Sequence, residues 1–327
     1  MDAKKVPGSD CASIKEVRFS PDGKRYAADC ETPARRSHVT LIDGRRGQEY
    51  DSITYMAFTP DSSTAVYVAR SGMKDFLVFG DQESDGYASI GHMLPEGHKT
   101  RISVTAKGTR YAFGAKVSND ACVFVIDGKA TALKGHCADE VTFRPDGTRC
   151  AYVGAVTRTL VVDGVPTIGT FVKSFKGTMA EGKTQLPISF LFSPNSKHVV
   201  YMAGLAGQPG SILGIDGKYI PVAQGIVHFP TFTPDSRHFI FATPVLVQGQ
   251  PVPAFLGIYV DGRLAARFNG ANSSLLGHSY GWEMGADGVL TFLVQDGADI
   301  KRVRITPPDE TSIDTMLAEA RPIPRGR

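Results

Sequence analysis

One short pattern recurs along this chain and restricts it more than anything else in the sequence. Phe19-Ser20-Pro21-Asp22-Gly23 is its first copy. Phe58-Thr59-Pro60-Asp61-Ser62, Phe143-Arg144-Pro145-Asp146-Gly147, Phe192-Ser193-Pro194-Asn195-Ser196 and Phe232-Thr233-Pro234-Asp235-Ser236 follow it closely. Val104-Thr105-Ala106-Lys107-Gly108 and Met284-Gly285-Ala286-Asp287-Gly288 are degenerate copies, which makes seven. Successive first residues are 39, 46, 39, 49, 40 and 52 apart. In each repeat an apolar strand runs into the motif, where Pro presets the turn and Gly or Asn accepts its positive φ. A second strand follows, then a third that ends in Asp-Gly at Asp43, Asp127, Asp163, Asp216 and Asp261, a tight-hairpin signal. Gly80-Asp81 stands there in the second repeat. A fourth strand leads to the next copy.

Four short strands at a period of ~40–50 residues specify an all-β fold, a seven-bladed β-propeller with four-stranded antiparallel blades. The seventh repeat has no Asp-Gly and no clear fourth strand. Asp2-Ala3-Lys4-Lys5-Val6-Pro7 parallels Asp216-Gly217-Lys218-Tyr219-Ile220-Pro221, so the N-terminal strand is expected to close the last blade and cover its open edge. Residues 1–306 then form one domain. Residues 307–327 form a Pro-rich tail with a short helix over Ser312–Ala320, expected on the outside of the ring.

Charge excludes some partners. With 36 basic and 33 acidic side chains the net charge is only +3, which argues against a nucleic-acid surface. No apolar run reaches the ~18 residues of a membrane span, and no leader pattern opens the chain, so no signal peptide is expected in it.

Phe-Ser-Pro-Asp-Gly-Lys followed by a Tyr/Ala-rich strand resembles the WD-repeat-like propellers of the TolB type found in bacterial envelope proteins. Ile42-Asp43-Gly44-Arg45-Arg46-Gly47-Gln48-Glu49-Tyr50-Asp51 is similar to linkers of that group. The resemblance implies a propeller over nearly the whole chain. These propellers host binding proteins, peptidase-associated domains and a few lyases, so the fold does not name a function. True WD repeats close the third strand with Trp-Asp. Here the only Trp is Trp282, which departs from the intrablade Asp-His-Ser/Thr-Trp network.

In such a ring the repeated turns lie on one face and the irregular loops on the other, where binding tends to reside. The long irregular stretches are Phe171–Pro187, Gly204–Gly210, Pro244–Pro253 and Asn269–Tyr280. The leading function is therefore a non-catalytic binding or scaffold protein that holds a protein, peptide or glycan on the loop face. Arg35, Arg36, Lys173, Lys176 and Lys183 would meet an acidic partner or anionic sugar, and Phe175, Tyr280 and Trp282 would supply contact area. A monomer is expected, with no cofactor.

The alternative is a metal-assisted lyase or hydrolase. His98, His136 and His278 each follow Gly in a blade-to-blade loop, and His228 lies four residues before Phe232. Converging at the channel mouth, these imidazoles would hold one divalent metal, as the resemblance to oligogalacturonate-lyase propellers would fit. The competing reading has each His bonded within its own blade. No His-x-x-x-His or Cys-x-x-Cys spacing favours a metal, and no Gly-x-Ser-x-Gly or phosphate-binding Gly-Lys motif is present.

The five cysteines leave two readings open. Cys11 with Cys30, and Cys122 with Cys137, are near enough for two local disulfides, with Cys150 left as a buried thiol. That pairing needs an oxidising compartment and inclines toward a periplasmic or secreted origin. The other reading is ordinary buried thiols.

Overall fold

The computed structural model describes residues 11–33, 37–90, 102–119, 121–133, 137–154, 159–166, 170–173, 190–205, 212–221, 227–245, 255–269, 282–296 and 299–322. The expected Asp2–Pro7 strand lies outside them. Two compact units divide the chain, Met1–Thr157 and Arg158–Arg327. Among the described residues the strands form seven antiparallel sheets in chain order, which fits seven blades.

In the first unit, Ser13–Phe19, Tyr26–Glu31, His38–Ile42 and Arg45–Tyr50 form one up-and-down sheet. Ser52–Phe58, Ala65–Ser71, Lys74–Phe79 and Gln82–Glu83 form the second. The third carries Ser103–Val104, Tyr111–Lys116, Cys122–Ile126 and Lys129–Leu133, with Ser89–Ile90 also paired to Tyr111–Lys116. Of the fourth, Ala138–Phe143 pairs Cys150–Gly154 in this unit, and Leu160–Val162 pairs Val165–Pro166 in the next.

The fifth sheet runs Thr170–Lys173, Val199–Leu205, Ile212–Ile215, Lys218–Pro221, with Phe190–Phe192 also on Val199–Leu205. The sixth is His228–Phe232, Phe239–Val245, Phe255–Val260, Arg263–Asn269. The seventh has three described strands, Glu283–Met284, Leu290–Asp296 and Asp299–Ile305. In the second, third and sixth sheets the second and third strands are apolar on both faces because a sheet of the same unit packs on either side. Val68, Leu77, Phe113 and Val125 fill one such layer, and Val200, Leu213, Ile215, Phe239 and Phe241 another.

The recurring motif is structural down to its atoms. Asp22 accepts from the Ser20 hydroxyl (2.6 Å) and the Lys24 amide (3.1 Å), and Asp235 does the same with Thr233 (2.6 Å) and Arg237 (3.0 Å). Positive φ falls on Gly in some copies but on Ser62, Ser196 and Ser236 in others. Serine is accommodated because its hydroxyl has a second use. The Ser62 hydroxyl accepts from the Asp22 amide of the preceding sheet (3.1 Å), and Ser236 from Asn195 (2.9 Å).

The Asp-Gly aspartates do more than cap their own turn. Asp43, Asp127, Asp216 and Asp261 reach across to accept the first amide of the second strand, from Tyr26, Tyr111, Val199 and Phe239, at 2.8–3.0 Å. Their other oxygen takes the residue just before that amide: Arg25 and Arg110 at 2.8 Å, His198 and His238 at 2.7 Å.

The tail forms a helix, Ile313–Glu319, capped by Ser312, whose hydroxyl accepts from the Thr315 amide (3.2 Å). It packs on the turn end of the fifth and sixth sheets. Ile313 and Met316 are buried in the cluster with Phe239 and Ile215. Arg321–Pro322 then pairs with Lys218–Pro221, adding a strand to the outer edge of the fifth sheet.

Candidate functional site

The sheets differ most in their first strands. Counting along the second strand from the residue facing the motif, the first, second and fourth sheets each carry a β-bulge between the fourth and fifth residues. The extra residues are Lys15, Thr54 and Asp139. The sixth sheet is irregular at nearly the same height, between His228 and Thr231. A bulge ejects one residue from the ladder and bends the strand.

In the third and fifth sheets the first strand is instead paired in two separate segments, divided after the second partner in the third sheet and between the third and fourth in the fifth. Ser103 and Val104 face Ala112 and Tyr111, and Ile90 faces Ala115, so the two described segments paired with Tyr111–Lys116 on this side are separated in sequence by residues 91–102. In the fifth sheet Phe190 faces Tyr201 and Lys173 faces Met202, so two segments separated in sequence by residues 174–189 pair with adjacent residues of one strand. Phe171–Lys173 is therefore strand, and not the start of a loop between sheets as the sequence suggested. Residues 174–189 are thus an excursion in sequence between two segments of the first strand. Gly114, opposite the first break, lets the fourth sheet approach: a Cβ there would lie 2.4 Å from the Ala138 carbonyl oxygen.

A polar cluster sits at the loop end of the first sheet. Nδ1 of His38 lies 2.8 Å from the buried Asp29 carboxylate, on the neighbouring strand. The bulge residue Lys15 pairs with Glu31 (2.8 Å), which also accepts from the Ser13 hydroxyl (2.8 Å). Lys15 first, then Ser13, holds the Glu31 carboxyl below the ordinary range. The Cys11–Cys30 disulfide ties the entry of the first strand to the end of the second. Cys122–Cys137 joins the third strand of the third sheet to the entry of the fourth, so the disulfide reading holds for both pairs. Cys150 is buried and belongs to neither. His38 opens its strand and follows Ser37, so it carries none of the Gly-His signal of the loops.

Of the residues singled out from the sequence, Arg35, Arg36, Phe175, Lys176, Lys183 and Tyr280 lie outside the described residues, as do His98, His136 and His278. Lys173 ends its strand opposite Met202, and His228 faces Ala242. Trp282 is partly buried, its ring stacked on Phe292 with centroids 4.6 Å apart. Among the described residues no three His, Cys, Asp or Glu side chains gather as a metal site would require. None of the described helices is long and apolar enough to cross a membrane.

No protein-family model matches the chain, and no curated protein matches it. Among solved structures it is similar to a Kuenenia stuttgartiensis hydrazine synthase, at 15% identity over 73% of this chain and 75% of that one, TM-score 0.36. It is similar to an oligogalacturonate lyase in complex with manganese, at 12% identity over 89% and 88%, TM-score 0.36. A third is TolB from Acinetobacter baumannii, at 16% identity over 79% and 64%, TM-score 0.31.

Proposed function

We propose that the chain is a non-catalytic binding or scaffold propeller that holds a protein, peptide or glycan partner at the loop ends of its sheets. The observation that carries this reading is the division of two first strands into separate segments, close to the level where other first strands bulge. One extra residue suffices to bend a strand. The twelve residues of 91–102 and the sixteen of 174–189 exceed that need, and extra chain at a repeated structural level is where recognition is added to a scaffold.

The sequence of the longer excursion suits an anionic partner. It holds Phe175, Lys176 and Lys183, and Lys173 ends the strand before it. Arg35 and Arg36 adjoin the Asp29–His38 and Lys15–Glu31 cluster in sequence, and Tyr280 precedes Trp282 by two residues. Cations give orientation and aromatic rings give area.

Two further parts belong to this reading. The Asp2–Pro7 segment supplies the fourth strand of the seventh sheet, alongside Asp299–Ile305, and so closes the ring. The two disulfides suit an oxidising compartment, periplasmic or secreted. The test replaces residues 175–188 with a Gly-Ser pair and captures partners from the source organism by affinity and mass spectrometry. Loss of specific partners supports the assignment, and an unchanged partner set removes it.

A further inference from the structure

The last strand of a sheet exposes backbone N–H and C=O groups along its free edge, and folded proteins blunt such edges. Most outer strands here are blunted in recognisable ways. Arg45–Tyr50 carries Arg45, Arg46 and Glu49, and Arg263–Asn269 carries Arg263 and Arg267. Asp299–Ile305 carries Asp299, Lys301, Arg302 and Arg304. Gln82–Glu83 and Val165–Pro166 are two residues long, the second with a proline. Lys218–Pro221 is covered by Arg321–Pro322 of the tail.

Lys129–Leu133 is blunted least: its one charge is Lys129 at the turn end, it is five residues long with no proline, and among the described residues no strand pairs with its outer edge. Its sequence is Lys-Ala-Thr-Ala-Leu, five residues in unbroken one-to-one register with Cys122–Ile126, and Lys129 through Ala132 are exposed. The hairpin fixes which groups face outward. Asp127 and Gly128 have φ of 48° and 77°, a two-residue turn with both central residues left-handed, so Ile126 and Lys129 form the closing hydrogen-bonded pair. Bonded and non-bonded pairs alternate from there. Thr131 and Leu133 therefore bond back to the sheet, while the N–H and C=O of Ala130 and Ala132 point away from it.

We propose that this edge pairs antiparallel with the same strand of a second copy of the chain. Self-complementarity argues for that occupant. Placing Ala130 opposite the partner copy's Ala132, and the reverse, satisfies all outward groups in two closed pairs and is two-fold symmetric, as an isologous interface must be. The axis passes between the two Thr131 residues, a favourable cross-strand pair. Each Lys129 faces a Leu133, so no like charges meet. This differs from the monomer expected from the sequence, because an edge whose one charge sits at the turn end matters only once the strand is known to be outermost.

The test is sedimentation of the full chain over a wide concentration range, with variants. Ala132→Pro removes one outward N–H in each copy and leaves the bonds to Cys122–Ile126 in place, since proline is tolerated on an edge where its N–H faced solvent. A dimer that forms with rising concentration, and whose dissociation constant rises at least about tenfold in Ala132→Pro, is the expected result. Thr131→Cys gives an independent readout. The paired Thr131 residues are a non-bonded pair with Cα atoms about 4.5 Å apart, within disulfide reach, so a covalent dimer forms under mild oxidation. A chain that stays monomeric throughout, a dimer indifferent to Ala132→Pro, or a Thr131→Cys chain that does not cross-link would each overturn the proposal.

Discussion

His238 and Asp261 lie 2.7 Å apart in the sixth sheet, where the first sheet has Arg25 and Asp43. The exchange has a physical consequence. Arg25 and Arg110 are long enough to latch their own aspartate and also donate to carbonyls of the next turn, Ser63 in one case and Gly147 and Thr148 (both 2.9 Å) in the other. An imidazole cannot do both. At the two sheets with histidine the tail takes over: in the sixth, Thr311 donates to Asp261 (2.9 Å) and the Ile313 amide to the Arg237 carbonyl (2.8 Å), and in the fifth, Lys218 donates to the Leu317 carbonyl (2.8 Å) and His198 Nε2 lies 3.7 Å from Asp314. The helix covers the sheets whose latches lack an arm.

Asp261 is accordingly the costliest latch to break. Its carboxylate is buried and serves Phe239, His238 and Thr311 together. Asp261→Ala leaves buried donors unpaired and should destabilise the fold by ~2–4 kcal/mol, read from urea denaturation. The half-exposed Asp43→Ala should cost about 1 kcal/mol, because water replaces the lost acceptor.

The tail should be part of the folded unit. Ile313 and Met316 are 1% and 6% exposed against Phe239 and Phe241. Ile313→Ala should cost about 2–4 kcal/mol by transfer and cavity terms. Truncation after residue 308 should lower the thermal midpoint further than any single tail substitution does.

The turn aspartates give the stability a defined acid limb. Hydrogen bonds from Ser20, Thr59 and Thr233 are the main cause holding Asp22, Asp61 and Asp235 below the ordinary carboxyl range, and the Thr148 amide does so for Asp146. A folded-state pKa below the unfolded one contributes stability that is present above the unfolded pKa and is lost as pH falls through the folded one. Stability should therefore fall as pH drops through and below the ordinary aspartate range. Combining Asp22→Asn, Asp61→Asn and Asp235→Asn should flatten that limb, as pH-dependent denaturation midpoints would show.

The disulfides close segments of 19 and 15 residues in separation. Cys11→Ala/Cys30→Ala and Cys122→Ala/Cys137→Ala should each cost about 3 kcal/mol, chiefly by freeing the unfolded chain. Non-reducing peptide mapping should recover both linked pairs, with Cys150 alkylated only after unfolding.

The repeat was legible because each of its residues answers a local demand. Pro21 sets φ, Asp22 accepts the amide two residues on, and Gly23 takes the left-handed position. Ser312 was legible in the same way as the start of the tail helix. The breaks in the first strands were not. Thr170–Lys173 is four residues long, and no turn signal distinguishes leaving a strand midway from ending it. The latch was half visible: Asp-Gly announced a hairpin, but its partner lies 17 to 23 residues earlier, a pairing only the sheet register reveals. His38 was hidden for the same reason, since Asp29 reaches it across two strands.

The central claim is that binding belongs to the excursions from the first strands and not to the repeated turns. Partner capture from the source organism tests it directly, using the wild-type chain, the chain with residues 175–188 replaced by Gly-Ser, and Arg25→Ala at the opposite end of the first sheet. The account predicts that the excursion variant loses its specific partners, keeps the wild-type circular dichroism, and that Arg25→Ala keeps both. A partner set that survives removal of the excursion, or is lost with Arg25→Ala in a folded chain, would contradict it.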